Sequence, residues 1–179
     1  MSELTIIRYP DPRLNKVSVP VATFDERLKK LVGDMAKAMY AARGIGLAAP
    51  QVDVQEQIII IDISESRNEL QVFINPEIVT ASPEKAVYDE GCLSVPGIYE
   101  ELERPARVRV KAQDIHGHFF EVDAEGLLAV CIQHEMDHLK GFMFVDYLSR
   151  LKRERIRTKM LKETRELKRK NAGQSGGRR

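Results

Sequence analysis

The chain has 179 residues and a mass of 20.4 kDa, which suits one domain, since domains commonly run to about 100–200 residues. A composition of 43% hydrophobic and 31% charged residues with two cysteines excludes disulfide-stapled, collagenous and wholly disordered classes. No apolar run approaches the ~20 residues of a membrane span. The opening MSELTIIRYPDPRL lacks the basic and apolar regions of a secretory leader, so a cytoplasmic protein is expected. The net charge of +1 hides an asymmetry: residues 149–179 carry 13 Lys and Arg against 3 Glu, whereas residues 1–148 carry 15 against 24 acids. An acidic body with a basic tail points to an anionic partner for the tail.

The first predicted helix spans about Phe24–Arg43. Thr23 and Glu26 form a capping box, and Leu28, Leu31, Val32, Met35, Ala38, Met39 and Ala42 recur at helical spacing. Gly44 suits the left-handed residue after its end. A loop over Gly44–Gln51 precedes the β-branched run Gln57–Ile63, read as a buried strand. Leu70–Asn75 reads as another strand, stopped by Pro76. Arg107–Gln113 alternates polar and apolar residues and is joined by a hairpin at His116-Gly117 to a strand over His118–Val122. The second helix, Ala124 to about Lys140, is apolar around most of its girth, hence central and buried, and Gly141 closes it. A basic third helix covers about Ser149–Asn171, and residues 172–179 are expected to be disordered. The expected fold is α+β: antiparallel β-sheets packed around the central helix, with an N-terminal helix and a basic C-terminal helix. Residues 1–148 are expected to form the main domain, followed by the basic helix and the tail.

The central helix carries His134-Glu135-Met136-Asp137-His138, an H-E-x-x-H. The two histidines lie one turn apart and about 40° apart around the axis, so both imidazoles can hold one metal ion, with Glu135 in reach of water beside it. A chance match on a polar face is the plain alternative. Here the helix is otherwise apolar, and two imidazoles and two acids buried without a partner would be costly.

A catalytic site needs a third protein ligand and an open position. The metzincin pattern fails because position 144 is Phe, and no His or Cys follows His138. A downstream Glu, as in thermolysin, is conceivable, but the available ones lie in the basic tail. Cys131 is about 10.5 Å of helix rise from His138, too far for metal bonds of about 2.0–2.3 Å. His116 and His118 read as a solvated hairpin tip. Cys92, in Glu90-Gly-Cys-Leu-Ser-Val-Pro-Gly97, is the best third ligand, although a lone Cys is ordinarily a small buried hydrophobe. Gly44-Ile-Gly-Leu-Ala-Ala-Pro-Gln51 matches G-x-G-x-x-A formally, but it follows a helix and precedes a strand, the reverse of a dinucleotide site. It suits a cleft-lining loop whose Gln51 can donate to an oxyanion; an ordinary glycine-rich turn would look the same.

Together GIGLAAPQ, EGCLS and HEMDHLKG resemble the three signature motifs of peptide deformylase, in order and spacing, with the likeness running from about Ile6 to the basic helix. The resemblance implies removal of the formyl group from the N-terminal formylmethionine of newly made polypeptides, with release of formate. It implies that Cys92, His134 and His138 bind one ferrous iron, replaceable by zinc, nickel or cobalt, and that Glu135 is the general acid and base. Gln51, through its side chain, and Leu93, through its backbone N–H, would hold the oxyanion. Ile45, Tyr88, Val130, Cys131 and His134 would line the methionine pocket, and Gly46 would pair with the substrate backbone.

Three other readings stand beside this one: an H-E-x-x-H metalloendopeptidase, a structural metal site in a binding module, and, from the tail alone, an RNA-binding protein. For the tail, Arg150, Lys152, Arg153, Arg155, Arg157, Lys159 and Lys162 mark either a solvated helix or, as the resemblance suggests, an element docking on the ribosome near the exit tunnel. Neither a membrane nor DNA is expected as a partner.

Overall fold

The computed structural model describes residues 3–175. Helix α1 (Glu26–Ala41) is followed by strands β1 (Gly46–Ala48), β2 (Ile58–Ile61), β3 (Gln71–Ala81), β4 (Lys85–Cys92), β5 (Val95–Pro105), β6 (Arg107–Gln113) and β7 (Phe119–Glu125), then by α2 (Gly126–Leu139) and α3 (Arg150–Ser175). All ladders are antiparallel. β1-β2-β3-β6-β7 form one sheet, and β4-β5 form a separate two-stranded ribbon. The architecture is the expected α+β arrangement.

The isoleucine run of β2 is apolar on both faces because both are covered. Ile58 and Ile60 face α1 with Leu28, Val32, Met35 and Met39, while Ile59 and Ile61 face α2 with Ala129, Ile132 and Met136. Strand side chains alternate sides, so a continuous run fits a sheet sandwiched between two helices. β6 has one covered face, and its Val108, Val110 and Ala112 are buried while Arg107, Arg109 and Lys111 are exposed. A third cluster joins Ile7, Leu14, Val95, Leu102 and Phe144 to Ile156 and Met160 of α3. The first half of the basic helix is therefore part of the core.

Several local expectations are corrected. The N-cap of α1 is Asp25, whose carboxylate accepts the Leu28 N–H, so the Thr23 capping box is not formed. Arg43 (φ 58°), not Gly44, is the left-handed residue after α1. Arg43 N–H donates to Tyr40 O and Gly44 N–H to Met39 O, which closes the last turn. β3 does not stop at Pro76: Asn75 and Pro76 form a bulge between the Ile74 and Glu77 pairings, where proline's missing N–H breaks no ladder bond. The Asn75 side chain bonds Val21 and Gln113 there. Where a loop was expected over Gly44–Gln51, Gly46–Ala48 form an edge strand leading into a 3₁₀ turn at Ala49–Val52. At the other end, α3 continues through residues 172–175, where disorder was expected, because extending a formed helix needs no new nucleus. The remainder of the expected disordered tail, 176–179, lies outside the described residues. No helix among the described residues is long and apolar enough to cross a membrane.

Candidate metal centre and active site

Helix α2 brings His134 and His138 to one face, and the end of β4 brings Cys92 against them. The ligand atoms of the three lie within 4.8 Å of one another, with Cys92 Sγ 3.5 Å from His138 Nε2. Bonds of about 2.0 and 2.3 Å at a tetrahedral angle separate a nitrogen and a sulfur by about 3.5 Å, so this set fits a metal ion. Gly91 makes the approach possible. The β4–β5 register shifts between Gly91 and Cys92, and a Cβ at 91 would meet the Tyr99 ring at 2.5 Å. Such a bulge re-aims the side chain that follows it.

A buried set of charges orients the first imidazole. His134 Nδ1 donates to Glu90 Oε1 at 2.9 Å. Arg104 grips both oxygens of Glu90 at 2.6 and 2.8 Å and reaches Asp137 Oδ2 at 2.9 Å. The Tyr147 hydroxyl donates to the same Asp137 oxygen, and its ring lies 5.1 Å from the guanidinium. Burial alone would raise the Glu90 carboxyl, but hydrogen bonds from His134 and Arg104 outweigh it and hold it below its ordinary value. Burial likewise opposes a charged His134, yet bonds to Cys92 and Glu90 hold its pKa well above normal. His138, buried and repelled by its neighbour, is pushed well below. His138 Nδ1 is also a buried atom without a hydrogen-bond partner. The imidazoles thus differ, one fixed by a carboxylate as metal-binding histidines commonly are.

Glu135 is buried, with Oε2 unpartnered, and burial raises its pKa to about 7. Its Oε1 sits against Gly46, where a Cβ would lie 2.6 Å away. Gln51 is held from two sides: its Oε1 accepts the Ala48 N–H, and its Nε2 donates to Ser94 Oγ at 3.0 Å and faces Cys92 Sγ at 3.4 Å. A cavity of about 470 Å³ opens beside these groups, lined by Ile45, Gly46, Leu93, Val130, Cys131 and His134 among others. Burial raises the Cys131 thiol to about 12.

The structure therefore gathers Cys92, His134, His138, Glu135 and Gln51 and brings Ile45, Gly46, Leu93, Val130 and Cys131 to the cavity wall beside them. Tyr88 is not among the residues lining this cavity, though it shares a strand face with Glu90 and Cys92. It lies four residues before Cys92, about 13 Å along the strand, and its hydroxyl faces Gly126 at the start of α2. His116 and His118 are exposed at the β6–β7 turn. Arg104 and Tyr147 carried no sequence signal. Glu90 lay inside a motif, and an acid two residues from a candidate ligand was the only available hint of its role.

Comparison with known proteins decides the family. A family model described as polypeptide deformylase matches residues 3–154. Peptide deformylase 1 of Burkholderia multivorans is 65% identical over 162 residues, covering 90% of each chain. The chain belongs to the polypeptide deformylase family. Deformylases are metal-dependent hydrolases that remove the N-formyl group from the formylmethionine of nascent peptides, and nothing supports the metalloendopeptidase alternative. The crystal structure of a deformylase from Legionella pneumophila superposes with a TM-score of 0.89 at 48% identity, covering 94% of this chain and 99% of that one. The Ehrlichia chaffeensis deformylase in complex with actinonin gives 0.86 at 41% identity, covering 91% and 98%.

Proposed function

We propose that Cys92, His134 and His138 hold one ferrous ion per chain, for which zinc, nickel or cobalt can substitute, and that Glu135, Gln51 and Leu93 carry out deformylation beside it. The observation that carries this reading is the convergence of a thiol and two imidazoles within 4.8 Å of one another, next to a buried carboxylate and a cavity of about 470 Å³. When bound, such a cation supplies Lewis acidity, polarising the formyl carbonyl and acidifying water. A thiolate makes it a softer acid than a site built on carboxylates. Because zinc stands above ferrous iron in affinity, the metal recovered depends on supply and on oxygen.

Glu135 takes a proton from the attacking water and returns it to the leaving nitrogen. A carboxyl near pKa 7 is matched to both steps, and a cation alongside would draw that value lower. Gln51 Nε2 and the Leu93 N–H donate to the oxyanion that develops on the formyl oxygen, each worth about 3 kcal/mol by the loss seen when such a donor is removed. The bond from Ala48 to Gln51 Oε1 keeps the amide turned so that its donor faces the thiol. Ile45, Val130, Cys131 and the His134 ring form the wall for the methionine side chain, and Gly46, on the edge strand β1, pairs with the substrate backbone. The same cavity is the expected site for actinonin.

Anaerobic purification with metal analysis, coupled to formate release from formyl-Met-Ala-Ser, tests the assignment. Glu135→Gln keeps its metal and loses turnover; near-native turnover removes Glu135 from the chemistry. Cys92→Ser loses or exchanges metal; unchanged metal content points to another third ligand.

The same reading places the enzyme in the cytoplasm, with residues 1–148 as the catalytic domain. The basic helix, 149–171, docks on ribosomal RNA or protein near the exit tunnel, steered by charge. Cutting after Ser149 would remove the buried Ile156 and Met160, so the informative truncation follows Thr164, beyond the Arg8–Glu163 ion pair. It spares turnover on a tripeptide and weakens salt-sensitive ribosome binding; equal binding discards a docking role for residues 165–179, and charge reversal of the exposed Arg155 and Lys159 tests the retained half.

A further inference from the structure

Outside the catalytic cavity, the loop between β2 and β3 reaches the back of the GIGLA segment through the Asp62 N–H and the Arg67 side chain. Arg67 Nη2 donates to the carbonyl oxygen of Gly44, and its guanidinium lies 5.4 Å from the Tyr40 ring centre. Among the described residues no carboxylate lies within ion-pair distance of Arg67, so its charge is directed at a main-chain carbonyl and a ring. The loop around it is firmly held. Asp62 is fully buried and accepts from the Tyr40 hydroxyl at 2.6 Å, from the Ser64 N–H and hydroxyl at 2.9 and 2.6 Å, and from the Glu69 N–H at 3.2 Å. Its own N–H donates to Ile45 O at 2.8 Å. Arg67 also has left-handed backbone (φ 57°), a conformation uncommon outside glycine.

On its inner side the gripped segment touches the Glu135 carboxylate and the side chain of Leu93, the residue whose N–H is assigned to the oxyanion. A Cβ on Gly44 would lie 2.5 Å from Leu93 Cδ1, and one on Gly46 would lie 2.6 Å from Glu135 Oε1. Residues 44–46 are thus pinned between Arg67 outside and Leu93 and Glu135 inside. The bond is not needed to close α1, since the N–H groups of Arg43 and Gly44 already do so.

We infer that Arg67 is a positioning residue for deformylation: by holding the Gly44 carbonyl it fixes where Gly46 meets the substrate backbone and where Leu93 and Glu135 rest. The inference depends on the roles given above to Gly46, Leu93 and Glu135. A guanidinium does this where a lysine would do it less well, because its planar fork bonds the carbonyl while its face lies on the ring.

The test uses the metal-loaded full-length chain with formyl-Met-Ala-Ser, comparing Arg67→Ala and Arg67→Lys with the parent. For Arg67→Ala we expect kcat/KM to fall about tenfold, less than the hundredfold of a full 1 Å misplacement, with most of the loss in KM. Metal content and Tm stay at parental values, and the amides of Ile45–Leu47 exchange faster. Guanidinium chloride below denaturing concentration restores part of the loss, because it can occupy the vacated place between Tyr40 and the Gly44 carbonyl. Arg67→Lys falls between the two and carries the test if the alanine variant does not fold. Activity within twofold of the parent, a loss that follows metal content or Tm, or no recovery with guanidinium overturns the inference. A failed Arg67 result alongside an inactive Glu135→Gln refutes the positioning role alone, whereas an active Glu135→Gln refutes the assignment on which it rests.

Discussion

Gly46→Ala is the substitution for which the structure separates activity from stability. The glycine is not in the left-handed region, so alanine is compatible with its backbone. What the new methyl meets is Glu135, with Oε1 at 2.6 Å and Cδ at 3.1 Å, against ordinary contact beginning at 3.4 Å. The carboxylate must retreat by roughly 0.8 Å, which it can do because the blocking atom is the far end of a flexible side chain. Entropy gained on replacing glycine, about 0.4–1 kcal/mol, offsets much of an overpacking cost of about 1–3 kcal/mol, leaving a net loss on the order of 1 kcal/mol. A catalytic group displaced by about 1 Å, in contrast, costs about a hundredfold, or roughly 2.7 kcal/mol of barrier. Gly46→Ala should therefore keep its metal and nearly its parental Tm while kcat for formate release falls by about two orders of magnitude. The double variant with Glu135→Gln should be no worse than Glu135→Gln alone, because both act through one group. Turnover within threefold of the parent, or a double variant far below Glu135→Gln, refutes the argument.

Arg104→Met leaves the buried Glu90 carboxylate and the half-buried Asp137 carboxylate without their cation. We expect about 3–5 kcal/mol of destabilisation in urea unfolding, together with metal affinity weakened about 10–100-fold; parental values of both would show that the guanidinium does not organise His134. Hydrogen bonds from Ser64 and Tyr40 hold the Asp62 carboxyl at about pKa 2, below its unfolded value. Its stabilising effect is complete above about pH 4 and is lost as pH falls through 2, so Asp62→Asn should flatten the acid-unfolding curve in that window, and an unchanged curve counts against it. Metal removal should expose the half-buried Cys92 to iodoacetamide at pH 8, while Cys131, raised to about 12 by burial, stays unreactive. One label per chelated chain and none on the loaded chain is the expected mass; two labels contradict it.

The chemistry was legible in the sequence where one local element carries it. His134 and His138 share a face because helical spacing places them there, and Glu135 lies between them for the same reason. The strands β2 and β6 and the helices α1 and α2 were legible from periodicity, since burial of one or both faces imposes the pattern of apolar residues. Cys92 was reached by elimination among the few remaining ligands. The β4–β5 ribbon that presents it was not legible, because most of it is exposed or only half-buried and it carries Asp89, Glu100, Glu101 and Glu103 where a buried strand would show alternating apolar residues.

Pairings across long sequence separations had no local signature at all. Arg104 meets Glu90 and Asp137 across the ribbon and α2, Arg67 meets Gly44 across the sheet edge, and Gly46 gives room to a carboxylate 89 positions later. The sequence by itself determined the ligand-bearing helix, the layers and the charge of the tail, since helical and strand periods are properties of consecutive residues. Tertiary structure alone decided which carboxylate orients His134, which glycines are required by close approach, and that α3 begins inside the core. Each of these depends on distances between separate elements, and such distances are fixed only when the elements bury their apolar faces together.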